Sequence, residues 1–330
     1  MGKTNKPRAG SMSFYPRVRA KSIIPKFNSF ADPKKIGITG AKPLCFYVFK
    51  AGTTHVLAKN AKKGASSYGQ ENSISVSVLE APDMKVIGAR FYKENYPIKG
   101  KTAIFEFSNQ DNLVKKRISG KKQKKVTPLE EALKRKEEAD SLVLLATVNP
   151  DKTTVGQKKP VIVEVPLSGT YEEQISYLSE KLNKTIAVSE VFDVETVLDV
   201  KGVTIGHGTQ GPVKRFGIKI QRPKAQKIQR HVGSINPWHP ATVMYTIPRA
   251  GQYGFHNRTT FNKKLLMIDE DTSKINPKKG FINYGLVKNK YLLVAGSVPG
   301  PTKRILALRH TIREKPKTKL EVTDINYISK

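Results

Sequence analysis

Apolar side chains recur along this chain in short runs with two different periods. Ile74-Ser75-Val76-Ser77-Val78-Leu79 alternates every second residue, which predicts a strand with one buried face. Residues 44–49 and 86–92 are aromatic and β-branched and predict two more strands. Lys50-Ala51-Gly52-Thr53-Thr54 reads as a turn leading the chain back into His55-Val56-Leu57. Residues 142–148 and 161–165 are nearly continuous apolar runs of strand length, and residues 291–296 and 304–309 repeat that pattern near the C-terminus. Helical signals stand between them. Thr127-Pro128-Leu129-Glu130 combines an N-cap, a proline at the first helical position and a capping box, and predicts a helix to Ala139. Thr170-Tyr171-Glu172-Glu173 is a second capping box, and Ile175, Leu178 and Leu182 follow at helical spacing. Ile186-Ala187-Val188 begins a return to β structure.

The periodicity fails between residues 207 and 262, where glycine and proline break every pattern. Ordering roughly 56 residues costs on the order of 50–100 kcal/mol, and few apolar side chains within the segment offset it. Such a stretch is either a linker or a loop that orders against a partner. Trp238, Tyr245, Tyr253 and Phe255 favour the second reading, because linkers are poor in aromatics.

Charge identifies the partner. The chain has 330 residues, with 59 Lys and Arg against 27 Asp and Glu, a formal net charge of +32. Self-repulsion on that scale calls for a polyanion, and nucleic acid phosphates are the natural one. From Met1 to Ala31 there is no acid and there are seven bases, among them Arg17, Arg19 and Lys21, with prolines at 7, 16 and 25. This reads as an extended basic arm. A second basic run spans Lys115 to Lys125 and includes Lys121 and Lys122. Fourteen of the 27 acids fall between Glu130 and Asp199, so that middle piece reads as a charge-balanced α/β module between β-rich flanks. From Val200 to Ile268 there is again no acid, and twelve bases: Lys201, Lys214, Arg215, Lys219, Arg222, Lys224, Lys227, Arg230, Arg249, Arg258, Lys263 and Lys264. No apolar run reaches the length of a membrane span, and the N-terminus does not read as a secretory signal. Cys45 is the only cysteine, which excludes an internal disulfide and suits a reducing compartment; among Leu44, Phe46 and Tyr47 it reads as a small buried thiol.

Candidate chemistry is sparse. Gly206-His207-Gly208-Thr209-Gln210-Gly211 matches a dinucleotide fingerprint, but Pro212-Val213-Lys214-Arg215 offers no helical pattern to receive a pyrophosphate. A flexible hinge that lets backbone approach phosphate fits better. His207, His231, His239 and His256 have no compact metal-ligand spacing and no acid or cysteine nearby, so no metal and no cofactor are expected. The absence of any carboxylate argues against catalysis there. Trp238 is the only tryptophan, held between Pro237 and Pro240 without an apolar periodicity to bury it; stacking on unpaired bases suits it. Three readings remain open on residues alone: a structural RNA-binding protein, an RNA-modifying transferase using the 206–211 loop, and a transient nucleic-acid-binding assembly factor.

Motifs then narrow the choice. Gly206-His207-Gly208, Trp238-His239-Pro240-Ala241, Arg249-Ala250-Gly251-Gln252 and His256-Asn257-Arg258-Thr259 resemble, in order, segments of the third protein of the large ribosomal subunit. Lys50-Ala51-Gly52-Thr53-Thr54 and Val298-Pro299-Gly300 with Lys303-Arg304 resemble its early and late segments. Thr53 stands where methionine is usual, and Asn236-Pro237 departs from the expected tip. The length and the shorter C-terminus are similar to archaeal members. The resemblance implies a mainly β chain: a translation-factor-like β-barrel over residues 36–92, 191–206 and 263–330, an inserted α/β domain over 93–190, a basic arm over 1–35 and a basic finger over 207–262. It implies a non-enzymatic cytoplasmic ribosomal protein that binds large-subunit ribosomal RNA and other large-subunit proteins, acts early in assembly, and points Trp238 toward the peptidyl transferase centre. No membrane and no homo-oligomer are expected. The expected RNA contacts are Arg17, Arg19, Lys21, Lys121, Lys122, His207, Lys214, Arg215, Arg222, Lys224, Lys227, Arg230, His231, Trp238, His239, Arg249, Gln252, His256 and Arg258.

Overall fold

The structure is a computed structural model that describes residues 11–61, 64–94, 101–108, 138–225, 227–313 and 320–326. The helix expected from Thr127 and the basic run with Lys121 and Lys122 lie outside the described residues, as do Lys3, Lys6 and Arg8. The chain forms two units: residues 1–22 with 203–257, and residues 23–202 with 258–330.

The described strands, in chain order, are β1 (Cys45–Asn60), β2 (Glu71–Glu80), β3 (Met84–Glu94), β4 (Lys101–Ser108), β5 (Ser141–Val148), β6 (Val161–Pro166) and β7 (Thr185–Ile186). They continue with β8 (Val197–Val203), β9 (Gly206–Gln210), β10 (Gly251–Gly254), β11 (Asn257–Asp269), β12 (Tyr291–Ala295), β13 (Ile305–His310) and β14 (Leu320–Asn326). The described α-helices are α1 (Pro33–Ile36), α2 (Tyr171–Lys181) and α3 (Pro212–Phe216). The fold is mainly β, as the runs predict.

The large sheet has the order β13-β8-β11-β12-β2-β1-β14, and β13 also pairs with β1, so the ladder returns to its first strand. The predicted turn at residues 50–54 does not exist. β1 runs straight through it for 16 residues, and a bulge between Lys50 and Gly52 takes up the irregularity. Glycine is required in that bulge, because a Cβ on Gly52 would stand 2.5 Å from the Phe281 ring. The bulge also serves Lys50, whose Nζ donates to Val298 O at 3.0 Å and Gly300 O at 2.8 Å. Two motif segments some 250 positions apart are thereby joined.

A second sheet has the order β4-β3-β5-β6, with β7 on β3. Helix α2 begins where the capping box places it: Thr170 Oγ1 accepts from Glu173 N, and Glu173 Oε2 accepts from Thr170 N at 3.1 Å. Its buried face carries Leu178 and, unexpectedly, Gln174, whose Oε1 accepts from Leu142 N at 3.2 Å. Phe46, Tyr47, Phe49, Leu79, Phe91 and Leu144 are among the fully buried side chains of one continuous core. Each such side chain contributes about 1.5–3 kcal/mol of transfer free energy. Cys45 is a buried free thiol, and burial pushes its pKa far up. Buried carboxylates are matched by donors. Glu80 accepts from Lys288 N at 2.9 Å, Asn289 N at 3.0 Å and Tyr284 Oη. No helix of the described residues is long and apolar enough to cross a membrane.

Candidate nucleic-acid interface

Residues 1–22 and 203–257 together carry fourteen Lys and Arg and no Asp or Glu. No cation in this unit can find a carboxylate within it, so its order must come from backbone pairing and aromatic contacts. Its frame is the ribbon of β9 and β10, in the register Gly251↔Gln210, Gln252↔Thr209 and Gly254↔Gly206. The hinge expected at residues 206–211 is therefore a strand. It is followed by α3, a five-residue helix that the sequence did not show, with Pro212 at its first position and left-handed Gly217 capping its end. Helix α3 is a single turn, too short to dock a dinucleotide in the Rossmann manner. Gly254 has a φ of +73° and lies so close to Ile205 O that a Cβ would stand 2.0 Å from that oxygen.

The N-terminal arm is built into this ribbon. Ala20 N donates to Phe255 O at 2.8 Å, and His256 Nδ1 lies 2.9 Å from Val18 O. Two arginines then tie the arm to α3. Arg17 Nη1 donates to Arg215 O at 2.7 Å, and Arg215 Nη2 donates to Arg17 O at 3.1 Å. The other donors of Arg215 reach Gln252 O and Arg249 O, both at 2.9 Å. The Arg17 guanidinium lies 4.1 Å over the Phe216 ring, and Tyr15 stacks on Phe216 with centroids 6.1 Å apart. Burial and the neighbouring Arg17 charge lower the pKa of Arg215. Cation–π contacts and carbonyls stand in for the missing acids.

The remaining expected contacts divide by exposure. Arg19, Lys21, His207, Lys214, Arg222, Lys224, Lys227, Arg230, His231, Trp238, His239 and Arg249 are exposed. Gln252 is half-buried and its amide donates to Gly254 O at 3.0 Å, while His256 is buried in the ribbon. Arg258 belongs to the second unit. The described residues of segment 218–248 form turns and no long element: Gln221 N donates to Gln229 O at 2.9 Å, and Gln221 Nε2 to His231 O at 3.3 Å. Trp238 is 86% exposed and stacks with His239, and Tyr245 is 71% exposed. His207 stacks on Tyr253 at 5.1 Å. Sequence reasoning missed Tyr15 and Phe216, the rings that carry the arginine pair. The signal was there: aromatics one or two residues from arginines inside acid-free segments. Among the described residues, no group of His, Cys, Asp and Glu could hold a metal ion.

Residues 1–330 match the family described as Ribosomal protein L3. The large ribosomal subunit protein uL3 of Methanococcus maripaludis is 40% identical over 333 residues, covering 99% of this chain and 97% of that protein. The uL3 of Methanococcus aeolicus is 41% identical over 334 residues, with the same coverage. The uL3 of Archaeoglobus fulgidus is 39% identical over 333 residues, covering 99% of this chain and 98% of that protein.

Proposed function

The chain belongs to the Ribosomal protein L3 family, and from that membership we propose that it grips large-subunit ribosomal RNA through the acid-free unit of residues 1–22 and 203–257. It is a structural constituent of the large ribosomal subunit, a cytoplasmic particle, and not an enzyme. Ribosomal RNA and other large-subunit proteins are its partners.

One observation carries the RNA reading. A folded unit without a single carboxylate holds two mutually close guanidiniums and, among its described residues, nine exposed cationic side chains. Such a surface is self-repelling in isolation and is relieved when phosphates replace its counterions. The exposed Trp238, His239 and Tyr245 suit unpaired bases, which stack on rings. In this proposal residues 218–248 form a finger directed at the peptidyl transferase centre with Trp238 at its tip, and the basic unit fixes RNA early in subunit assembly.

The test exploits the hydrogen bond from Arg215 Nη1 to Arg249 O at 2.9 Å, which ties together the chain on either side of the finger. Replacing residues 218–248 by a short Gly-Ser linker should leave the rest of the chain folded. We expect the variant to fail to enter mature large subunits on sucrose gradients. Wild-type sedimentation and incorporation would overturn the proposal.

A further inference from the structure

The second unit contains a hollow of about 360 Å³, within the size range of small-ligand sites. Three parts of the chain line it: Phe49 and Ile305, which face each other in the β1–β13 ladder; Ile23 and Ile24; and the loop from Gln157 into Val161. Its other lining residues are Lys158, Lys159 and Lys303. Phe49, Val161 and Ile305 are buried, whereas the three lysines are exposed. The apolar surface is therefore inside and the charge is at the mouth. None of the three ammonium groups makes a hydrogen bond or ion pair with a described residue, and no acid lines the hollow.

Lys303 is held there against its backbone preference. Its φ is +66°, a conformation that costs a residue with a side chain of order 1–3 kcal/mol. The surrounding bonds enforce it: Lys303 N donates to Lys50 O at 2.8 Å, Lys50 N to Arg304 O at 3.0 Å, and Lys50 Nζ to Val298 O and Gly300 O. Strain of this kind gathers at ligand clamps.

We propose that this hollow takes one unpaired nucleotide of ribosomal RNA, its base against Phe49, Val161 and Ile305 and its phosphate among Lys158, Lys159 and Lys303. The proposal rests on the RNA-binding reading above but concerns the other unit. A nucleotide joins a flat apolar face and an anion in a single residue, as the hollow requires. An amino acid offers an apolar side chain or a carboxylate, so a peptide would need two residues to meet the same demand. Gln157 adds a reader for the base edge: its Nε2 donates to Lys159 O at 2.9 Å, and its Oε1 accepts nothing from a described residue.

The test is ultraviolet crosslinking of large subunits that carry this chain, with nucleotide adducts mapped by mass spectrometry and lysine acylation measured in parallel. The expected result is a nucleotide adduct on residues 157–161 or 303–305, lost in Ile23→Asp, which sets a carboxylate at the mouth, while adducts on residues 203–257 persist. Ile23 is 50% exposed, so that change spares the core. Adducts confined to residues 203–257, with the three lysines protected from acylation, would mean that a protein covers the hollow. The same adducts with the lysines reactive would mean that it is empty. Either result overturns this proposal and leaves the RNA-binding reading standing. Adducts on neither unit would overturn both.

Discussion

Asp199 has no exposed surface, and its charge is tolerated because four donors converge on it. Arg309 Nε and Nη2 reach Oδ2 at 3.2 and 3.0 Å, Ile312 N reaches it at 3.4 Å, and Asn262 N reaches Oδ1 at 3.1 Å. Arg309 also donates to Ser29 O at 2.5 Å and lies 4.4 Å over the Phe27 ring. Arg309→Met strands a buried carboxylate and is expected to cost about 3–5 kcal/mol, read as a lower urea midpoint. The Asp199→Asn/Arg309→Met double variant should lose less, because no charge is left stranded. His310 gives a pH-dependent counterpart. Burial lowers its pKa, outweighing the contact with Val191 O and the charge of Asp193. The folded chain thus binds this proton less readily than the unfolded chain. Its contribution is complete above the ordinary imidazole value of about 6.5 and is lost as pH falls below it. A thermal melt should show the midpoint falling from about pH 7 to pH 5, with a shallower fall in His310→Gln. At this scale the sequence was legible in part. Cys45 was readable as a buried thiol from its apolar neighbours. Nothing adjacent to Asp199 announces Arg309, which lies 110 positions away.

Strands and helix starts were the most legible elements, because their signals are local. β2, β5, β6 and α2 fall where period and capping place them, and Thr170→Ala should cost about 1 kcal/mol in denaturant melts through loss of the cap. Misreadings came from non-local pairing. Lys50-Ala51-Gly52 has the composition of a turn, but pairing with β2 on one side and the bonds of Lys50 to Lys303 and Arg304 on the other convert it into a bulge. Gly206-His207-Gly208 looks like a hinge because its partner β10 comes some forty residues later. Gly254 is the critical residue of that ribbon. Gly254→Ala meets Ile205 O and is strained by its positive φ, so it should destabilise the ribbon by more than about 1 kcal/mol. Hydrogen exchange should quicken at β9 and β10 amides and remain unchanged at β12 and β13.

The uneven charge of the whole molecule was plain in the sequence, and its magnitude is now sharper. Twelve bases in the acid-free stretch, each on a phosphate, would give a log–log salt slope of about −8 to −11. Among its described residues the unit exposes nine: Arg19, Lys21, Lys214, Lys219, Arg222, Lys224, Lys227, Arg230 and Arg249. Arg215 is committed to three carbonyls, and Lys201, Arg258, Lys263 and Lys264 belong to the other unit. In filter binding to ribosomal RNA fragments these nine should contribute about −6 to −8 to the slope, which becomes shallower by about one for each of these lysines changed to Gln. The joining of residues 11–22 to the 203–257 ribbon was not legible, because it runs through backbone carbonyls such as Val18 O, Phe255 O and Arg215 O, which every sequence possesses. That joining imposes an order in time. The arm is translated first, yet its partner His256 follows 238 positions later. At roughly 5–20 residues per second, about 10–50 seconds pass before the partner exists. A nascent chain that stalls before this point carries a bare basic arm with nothing to close on, so closure of the unit marks a chain translated through its finger.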